Sequence, residues 1–250
     1  MHFLRFQKDF GELPGFIMPE SLCIWDFLLE LQSQTWPPAS LLEIGVYHGK
    51  SAMMLALHAK SEETVLLVDP TEYVEEARKV FTKFRAAKFE VIKTRSSDAK
   101  CWALSSRYAR SLRWIHIDGD HKAETVWNDL SLANQLLADA GIICADDFFS
   151  TRYPQLTYVI CKFLEQNRAE LQLFLCGYNK AYLARPGSLS KYLQAIREGL
   201  GSAMTACGFS DFTIYKTDYP YVVNAFGIDG QRWQDFEYHG LDEDPKNLPY

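Results

Sequence analysis

Between residues 40 and 185, short apolar runs alternate with longer segments whose apolar residues recur every three or four positions. That rhythm belongs to βαβ units, and it limits the fold more than anything else in the chain. The strand candidates are SLLEIGV (40–46), TVLLVD (64–69), FEVIKT (89–94), RWIHID (113–118), GIICADD (141–147), LQLFLC (171–176) and KAYLAR (180–185). Helical spacing is expected near 50–60, 71–86, 98–109, 122–138 and 154–168. Only Gly177, Tyr178 and Asn179 separate the last two strands, too few for a crossover and right for an antiparallel turn. The expected fold is therefore α/β: a doubly wound, Rossmann-like sheet of seven strands, mostly parallel with an antiparallel C-terminal hairpin, and helices on both faces.

At 250 residues the chain suits one large domain with an appendage. Residues 1–39 read as an N-terminal helical cap, in which Pro19-Glu20-Ser21 opens a helix bearing Leu22, Trp25, Leu28, Leu29 and Leu31, and Trp36-Pro37-Pro38 closes it. Residues 40–186 form the core. Residues 187–250 follow as a helix over 188–206, a strand-like YVVNAFGI at 221–228 and an aromatic, acidic end of the same domain. Lys and Arg number 26 against 32 Asp and Glu, a net charge of −6 that repels phosphate backbones and anionic lipid heads. Nucleic acid and membrane are thus poor partners, and no run of 18 uncharged apolar residues exists to span a bilayer. Six cysteines without a CxxC pair, mostly in apolar runs, read as reduced core residues and a cytoplasmic location.

In an open α/β sheet, ligands bind beyond the carboxyl ends of the strands. The first such turn is LLEIGVYHGKS, where Gly45 and Gly49 permit a tight bend and the helix opening at Lys50 and Ser51 offers free N–H groups to an anion. Tyr47 takes the place of the middle glycine in a dinucleotide GxGxxG, which argues against a nicotinamide or flavin cofactor. Asp69 ends the second strand, suited to accepting both hydroxyls of a ribose, or alternatively a turn aspartate before Pro70.

Glu43-Ile44-Gly45, Tyr47, Gly49 and Ser51, followed by Asp69, resemble the first two motifs of class I S-adenosylmethionine (SAM)-dependent methyltransferases. The variant is that of catechol-type and macrolide-sugar O-methyltransferases and their methyltransferase 24 relatives, over roughly residues 12–185. The resemblance implies that the Gly45–Ser51 turn holds the methionine moiety, with Ser51 near its carboxylate, and that Asp69 holds the ribose. It further implies that Ser96, Ser97 and Asp98 border the adenine, although Ser97 reads equally as a helix cap. Asp118, at the carboxyl end of the fourth strand, completes the cofactor set.

RWIHIDGDH and IICADDFF deliver Asp118, Asp120, Asp146 and Asp147 to adjacent strand ends. Carboxylates crowded on one rim repel unless a cation or protons intervene, and a set without cysteine suits Mg²⁺ better than zinc. The resemblance assigns Asp118, Asp146 and Asp147 as the metal ligands. His121 stands three residues after Asp118, where catechol-type enzymes carry a lysine base, and an imidazole accepts a proton at neutral pH. Asp118 or Asp120 could take that proton instead. His116 alternates with Ile115 and Ile117 and reads as a core histidine, while His48 is left without an assignment. Phe16, Trp25, Phe148, Phe149, Tyr153 and Tyr178 lie on segments expected around the mouth. Together these features suggest a SAM-dependent, Mg²⁺-assisted O-methyltransferase acting on a small hydroxylated acceptor of sugar or natural-product type. The alternative is a SAM-binding regulatory or assembly protein without catalysis. The hairpin edge and the tail are candidate surfaces for a homo-oligomer.

Overall fold

The computed structural model describes residues 2–84, 87–218 and 220–230. Two N-terminal helices, α1 (Phe3–Phe10) and α2 (Pro19–Thr35), precede the first strand, β1 (Ser40–Ile44). Then come α3 (Lys50–His58), β2 (Val65–Val68), α4 (Tyr73–Lys83), β3 (Phe89–Ile92), α5 (Ala99–Trp102), α6 (Leu104–Tyr108) and β4 (Leu112–Ile117). The second half holds α7 (Ala123–Leu136), β5 (Leu137–Asp146), α8 (Pro154–Gln166), β6 (Gln172–Gly177) and β7 (Lys180–Ala184). Beyond β7 lie α9 (Pro186–Ala195), a π-helical turn (Ile196–Leu200), α10 (Gly201–Ala206), β8 (Thr213–Lys216) and β9 (Phe226–Asp229). Proline begins α2, α8 and α9, a first-turn position where its missing N–H costs nothing.

All these strands share one sheet in the order β3-β2-β1-β4-β5-β7-β6-β9-β8. β1 to β5 are parallel, with β1 flanked by β2 and β4, so the strand order reverses at β1. The crevice between the ends of β1 and β4 is where such sheets bind ligands. Leu41, Leu42 and Ile44 on β1 and Val65–Val68 on β2 are all buried, the continuous apolar character of strands covered on both faces. One core layer sets Phe6, Trp25, Leu28, Met53 and Phe81 against Trp114 and Tyr182, beneath α1 to α4, α9 and α10. The other sets Leu42, Ile44 and Ile115 against Leu130, Leu136 and Ile160, beneath α5 to α8.

The sheet has nine strands where seven are expected. β7 inserts antiparallel between β5 and β6, and β9 pairs parallel with β6, so the 177–179 hairpin is internal and β8 forms the edge. The hairpin edge is therefore not free for an oligomer contact. The tail strand starts at Phe226 rather than 221, because its register is set by Leu175, Cys176 and Gly177 of β6 and not by the apolar run itself. The helix expected over 98–109 breaks into α5 and α6, and that over 188–206 contains the π turn.

The cysteines are not all reduced. Cys23 of α2 and Cys207, just past α10, are joined as a disulfide with Cα atoms 6.5 Å apart, whereas Cys101, Cys144, Cys161 and Cys176 are free. The pair spans 184 positions, so no local spacing pattern announces it. Among the described residues, no helix is long and apolar enough to cross a membrane.

The N-terminal helices are fastened to the sheet by polar bonds. The Asp26 carboxylate accepts from the His2 and Phe3 backbone N–H groups, each at 2.8 Å, and contacts His58 Nε2 at 2.8 Å. A buried acid at the amino end of α1 complements its free N–H groups. Lys50 Nζ donates to Gly11 O at 2.8 Å, tying the end of α1 to the start of α3. The chain from Pro14 to Ile17 is thereby laid over the β1–β4 crevice.

Candidate active site

A cavity of about 680 Å³ opens at that crevice. Its walls include the β1 turn from Gly45 to Tyr47, Ser51, Asp69, Ser96, Ser97, Asp118 and His121. The turn is possible only with glycine at position 45: φ is +87°, and a Cβ there would stand 1.8 Å from the Asp118 carbonyl oxygen. β1 and β4 approach this closely because the Asp118 N–H donates to Ile44 O at 2.8 Å. Gly49, with φ +85°, is the N-cap of α3, so the free N–H groups of the following turn face the cavity beside Ser51.

Asp69 is 6% exposed, and its four lone-pair sites are in use. Val46 N–H and Tyr47 N–H donate to Oδ2 at 2.9 and 3.0 Å, while Thr71 N–H and Oγ1 donate to Oδ1 at 2.8 and 2.6 Å. The acid thus holds the glycine turn in shape and borders the cavity at once. Ser96 and Ser97 line the far end with Thr94. Asp98 does not, because its carboxylate turns back to the Thr94 hydroxyl at 2.8 Å. Glu43 also lies outside the wall: it is fully buried, and its Oε1 contacts His116 Nδ1 at 2.7 Å. His116 is thereby the buried strand histidine expected of it, although its Nε2 has no partner. His48 packs against Tyr47 and Tyr73 outside the cavity.

The acidic rim lies beside this cavity. Asp118, Asp146 and Asp147 converge, but not as one set of three. Among the described residues, Asp118 groups with His116 and Asp146 on one side and with His121 and Asp147 on the other, each trio having its ligand atoms within 4.8 Å. Lys180, the first residue of β7, faces Asp146 across the antiparallel pairing, and its Nζ lies 2.5 Å from Asp146 Oδ1. The same oxygen accepts the Asp147 N–H at 2.7 Å and Asn179 Nδ2 at 3.3 Å. Burial, and then the Asp146 carboxylate beside it, push Asp118 well above the usual carboxylate range. Burial works the same way on Asp146, yet the Lys180 ammonium holds it below that range. Lys180 in turn is kept high against its burial by Asp146 and Asp118.

The three-aspartate magnesium site expected from the sequence meets a competing cation in this arrangement. An ion on Asp146 Oδ1 would have to share that oxygen with an ammonium that is 3% exposed, and Asp147 already contacts His121 and Asn179. Lys180 and Asn179 escape a sequence reading because they sit in a hairpin some thirty residues from the acids, and only the strand register brings them there.

His121 Nε2 stands 2.9 Å from Asp147 Oδ2, and its ring stacks on Tyr153 with centroids 4.0 Å apart. Asp147 reaches it from a left-handed backbone, φ +57°, and Phe149 is likewise at φ +64°. Such strain persists where surrounding bonds hold it, and it is concentrated at functional loops. Of the aromatic residues expected at the mouth, Phe16 lines the cavity, nearly fully exposed, and stacks on Tyr47. Phe149 is exposed nearby, whereas Trp25 and Phe148 are buried in the two cores.

Residues 42–148 match the family model described as a methyltransferase domain, methyltransferase 24. The matched stretch, less than half of the chain, is similar to the SAM-dependent methyltransferase domains. Its solved structural relatives include the O-methyltransferase NovP, with a TM-score of 0.57 at 16% identity over 67% of this chain and 80% of that one. The apo form of CalS11, a TDP-rhamnose 3′-O-methyltransferase of calicheamicin biosynthesis, gives 0.53 at 16% identity over 74% and 93%. An O-methyltransferase from Bacillus cereus, in complex with S-adenosylhomocysteine (SAH), gives 0.52 at 18% over 73% and 87%. These likenesses establish the fold. No curated protein matches the chain by sequence. Within the matched stretch, the cavity lies above Gly45, and Asp118 of the acidic rim lines it directly.

Proposed function

We propose that the protein is an O-methyltransferase, with the donor in the β1–β4 cavity and a small hydroxylated acceptor entering over His121. The observation that carries this reading is the His121–Asp147 pair at the edge of the donor cavity. Hydroxyl methylation needs the acceptor oxygen relieved of its proton while it points at the sulfonium methyl, with water kept away. Asp147 holds the Nε2 side of the imidazole, which leaves Nδ1 to take the acceptor proton and Asp147 to stabilise the imidazolium that results. The Tyr153 face fixes the ring plane. The turn at Gly45 and the start of α3 receive the methionine carboxylate, and Ser96 and Ser97 border the adenine. Pro14 to Ile17 covers the mouth and restricts water. Once the methyl group has moved, the donor leaves as SAH and the proton resides on His121.

That all three relatives named above are described as O-methyltransferases, one of them as a TDP-rhamnose 3′-O-methyltransferase, supports an oxygen acceptor in a compact polar molecule. The net charge of −6 disfavours a polynucleotide. The test is SAH release across a panel of catechols, vicinal diols and nucleotide-linked deoxysugars, with calorimetric titration of SAM. His121→Ala should lower turnover by roughly 10²–10⁴-fold, the usual worth of a positioned base, with SAM affinity unchanged. Unaltered turnover in that variant removes His121 from the chemistry.

A further inference from the structure

We infer that Lys180 is the resident cation of the acidic rim, a fixed ammonium that balances Asp118 and Asp146 in place of a divalent metal ion. The inference rests on the methyl-transfer reading for what the rim does, but not for what neutralises it. Three observations carry it. The antiparallel register pairs Lys180 with Asp146, so the ammonium is delivered to the rim by the sheet itself and not by a mobile loop. Its side chain is 3% exposed and has Asp146 Oδ1 at 2.5 Å. The remaining acid, Asp147, is satisfied by His121 Nε2 at 2.9 Å and Asn179 Nδ2 at 2.9 Å.

A buried ammonium is retained only where carboxylates repay its lost hydration, and here the paired acids are the same ones that a metal would use. Placing a doubly charged ion against Asp118 and Asp146 would set it beside that ammonium in a poorly screened interior, where like charges repel strongly. The two occupants are therefore exclusive. A lysine differs from a hydrated ion in one useful respect: it carries no exchangeable ligand positions, so the acceptor hydroxyl meets the imidazole rather than a metal. Asp118 has a carboxylate oxygen within 4.8 Å of the Asp146 carboxylate that Lys180 contacts, which makes Lys180 a positioning residue.

The experiment compares the full-length wild type with Lys180→Met and Lys180→Arg. Manganese binding is followed by calorimetry and by the spin-resonance signal of free Mn²⁺, and SAH release is followed with and without EDTA. The wild type should bind no stoichiometric Mn²⁺ and be indifferent to chelator. Lys180→Met, which keeps the length and apolar stem without the charge, should bind Mn²⁺ at least tenfold more tightly. Its SAH release should fall at least tenfold and recover in part when Mg²⁺ is supplied. Lys180→Arg should behave like the wild type toward both metal and chelator. Stoichiometric Mn²⁺ binding by the wild type, or its inactivation by EDTA, overturns the inference, and this arm needs no variant to fold. Should no acceptor in the panel be methylated, the O-methyltransferase reading fails while the Mn²⁺ titrations still decide the role of Lys180.

Discussion

The two halves of the site are built by different means. The donor half, above β1 and β2, is made of backbone and short side chains: the Gly45 turn, the start of α3, and Asp69 accepting four bonds from its own neighbourhood. The acidic half, at the ends of β4, β5 and β7, is made of long-range charges that answer one another, Lys180 to Asp146 and His121 to Asp147. The first half is preorganised by local chain geometry and stands open as a cavity. In the second half, sheet register supplies a matching group for Asp146 and the strained loop after β5 brings Asp147 to its own. A methyltransferase needs both kinds: a neutral shape for the donor, and a controlled place for one proton.

Three substitutions bear on that contrast. The largest effect is expected at Gly45→Ala, where the new Cβ would collide with the Asp118 carbonyl at 1.8 Å from a φ of +87°. Neither backbone can yield without parting β1 from β4, so a loss of about 3 kcal/mol or more and a fall of roughly 6 °C or more in Tm should follow. SAM affinity should fall with it. A variant that melts like the wild type would show that the close approach of the two halves is not structurally required.

Asp69→Asn separates turn from charge. The amide offers one acceptor oxygen where the carboxylate offers two, so two of the four donors lose their partner. A cost of about 1–3 kcal/mol in stability is expected, with weaker SAM binding and a turnover number at saturating SAM close to wild type. Equal Tm and equal affinity would mean that the turn keeps its shape without the acid.

The smallest effect lies under the junction. Asp129 of α7 is buried, with Oδ2 3.5 Å from where a Cβ on Gly119 would stand, and burial pushes its carboxyl up to about 6 while Ser96 pulls the other way. Between the unfolded value near 4 and the folded value, the native state holds the extra proton, so stability falls as pH rises through about 4 to 6 and stays lower above. Asp129→Asn removes that loss. It should melt higher than the wild type at pH 7.5, by about 1–2 kcal/mol, and equally at pH 4. A gap of the same size at both pH values would point to packing instead.

The contrast also explains what could be read in the chain alone. Seven strands and the Pro19-to-Trp36 helix were visible because parallel strands buried on both faces are continuous apolar runs and helix ends carry proline. The cofactor turn was visible because Gly45, Gly49 and Asp69 lie within one βαβ unit. Glu43 and Asp98 stand in the same motifs yet point elsewhere, since a motif fixes position along a strand and not the partner a side chain finds. β8 and β9 were obscured because pairing to β6, not local composition, fixes where they start. The acids were visible as residues, but Lys180, Asn179 and the Cys23–Cys207 bridge depend on contacts between segments distant in sequence. The countercharge of Asp146 comes from a strand with no acidic signature, so the sequence shows the acids without it.

A crystal structure of the complex with SAH, grown in excess magnesium, tests the whole arrangement most directly. The thioether sulfur should lie in the cavity above Gly45, facing Asp118 and His121, with Lys180 still on Asp146 and no metal between the acids. Product bound elsewhere, or a magnesium ion coordinated by Asp118 and Asp146 with Lys180 displaced, would contradict it.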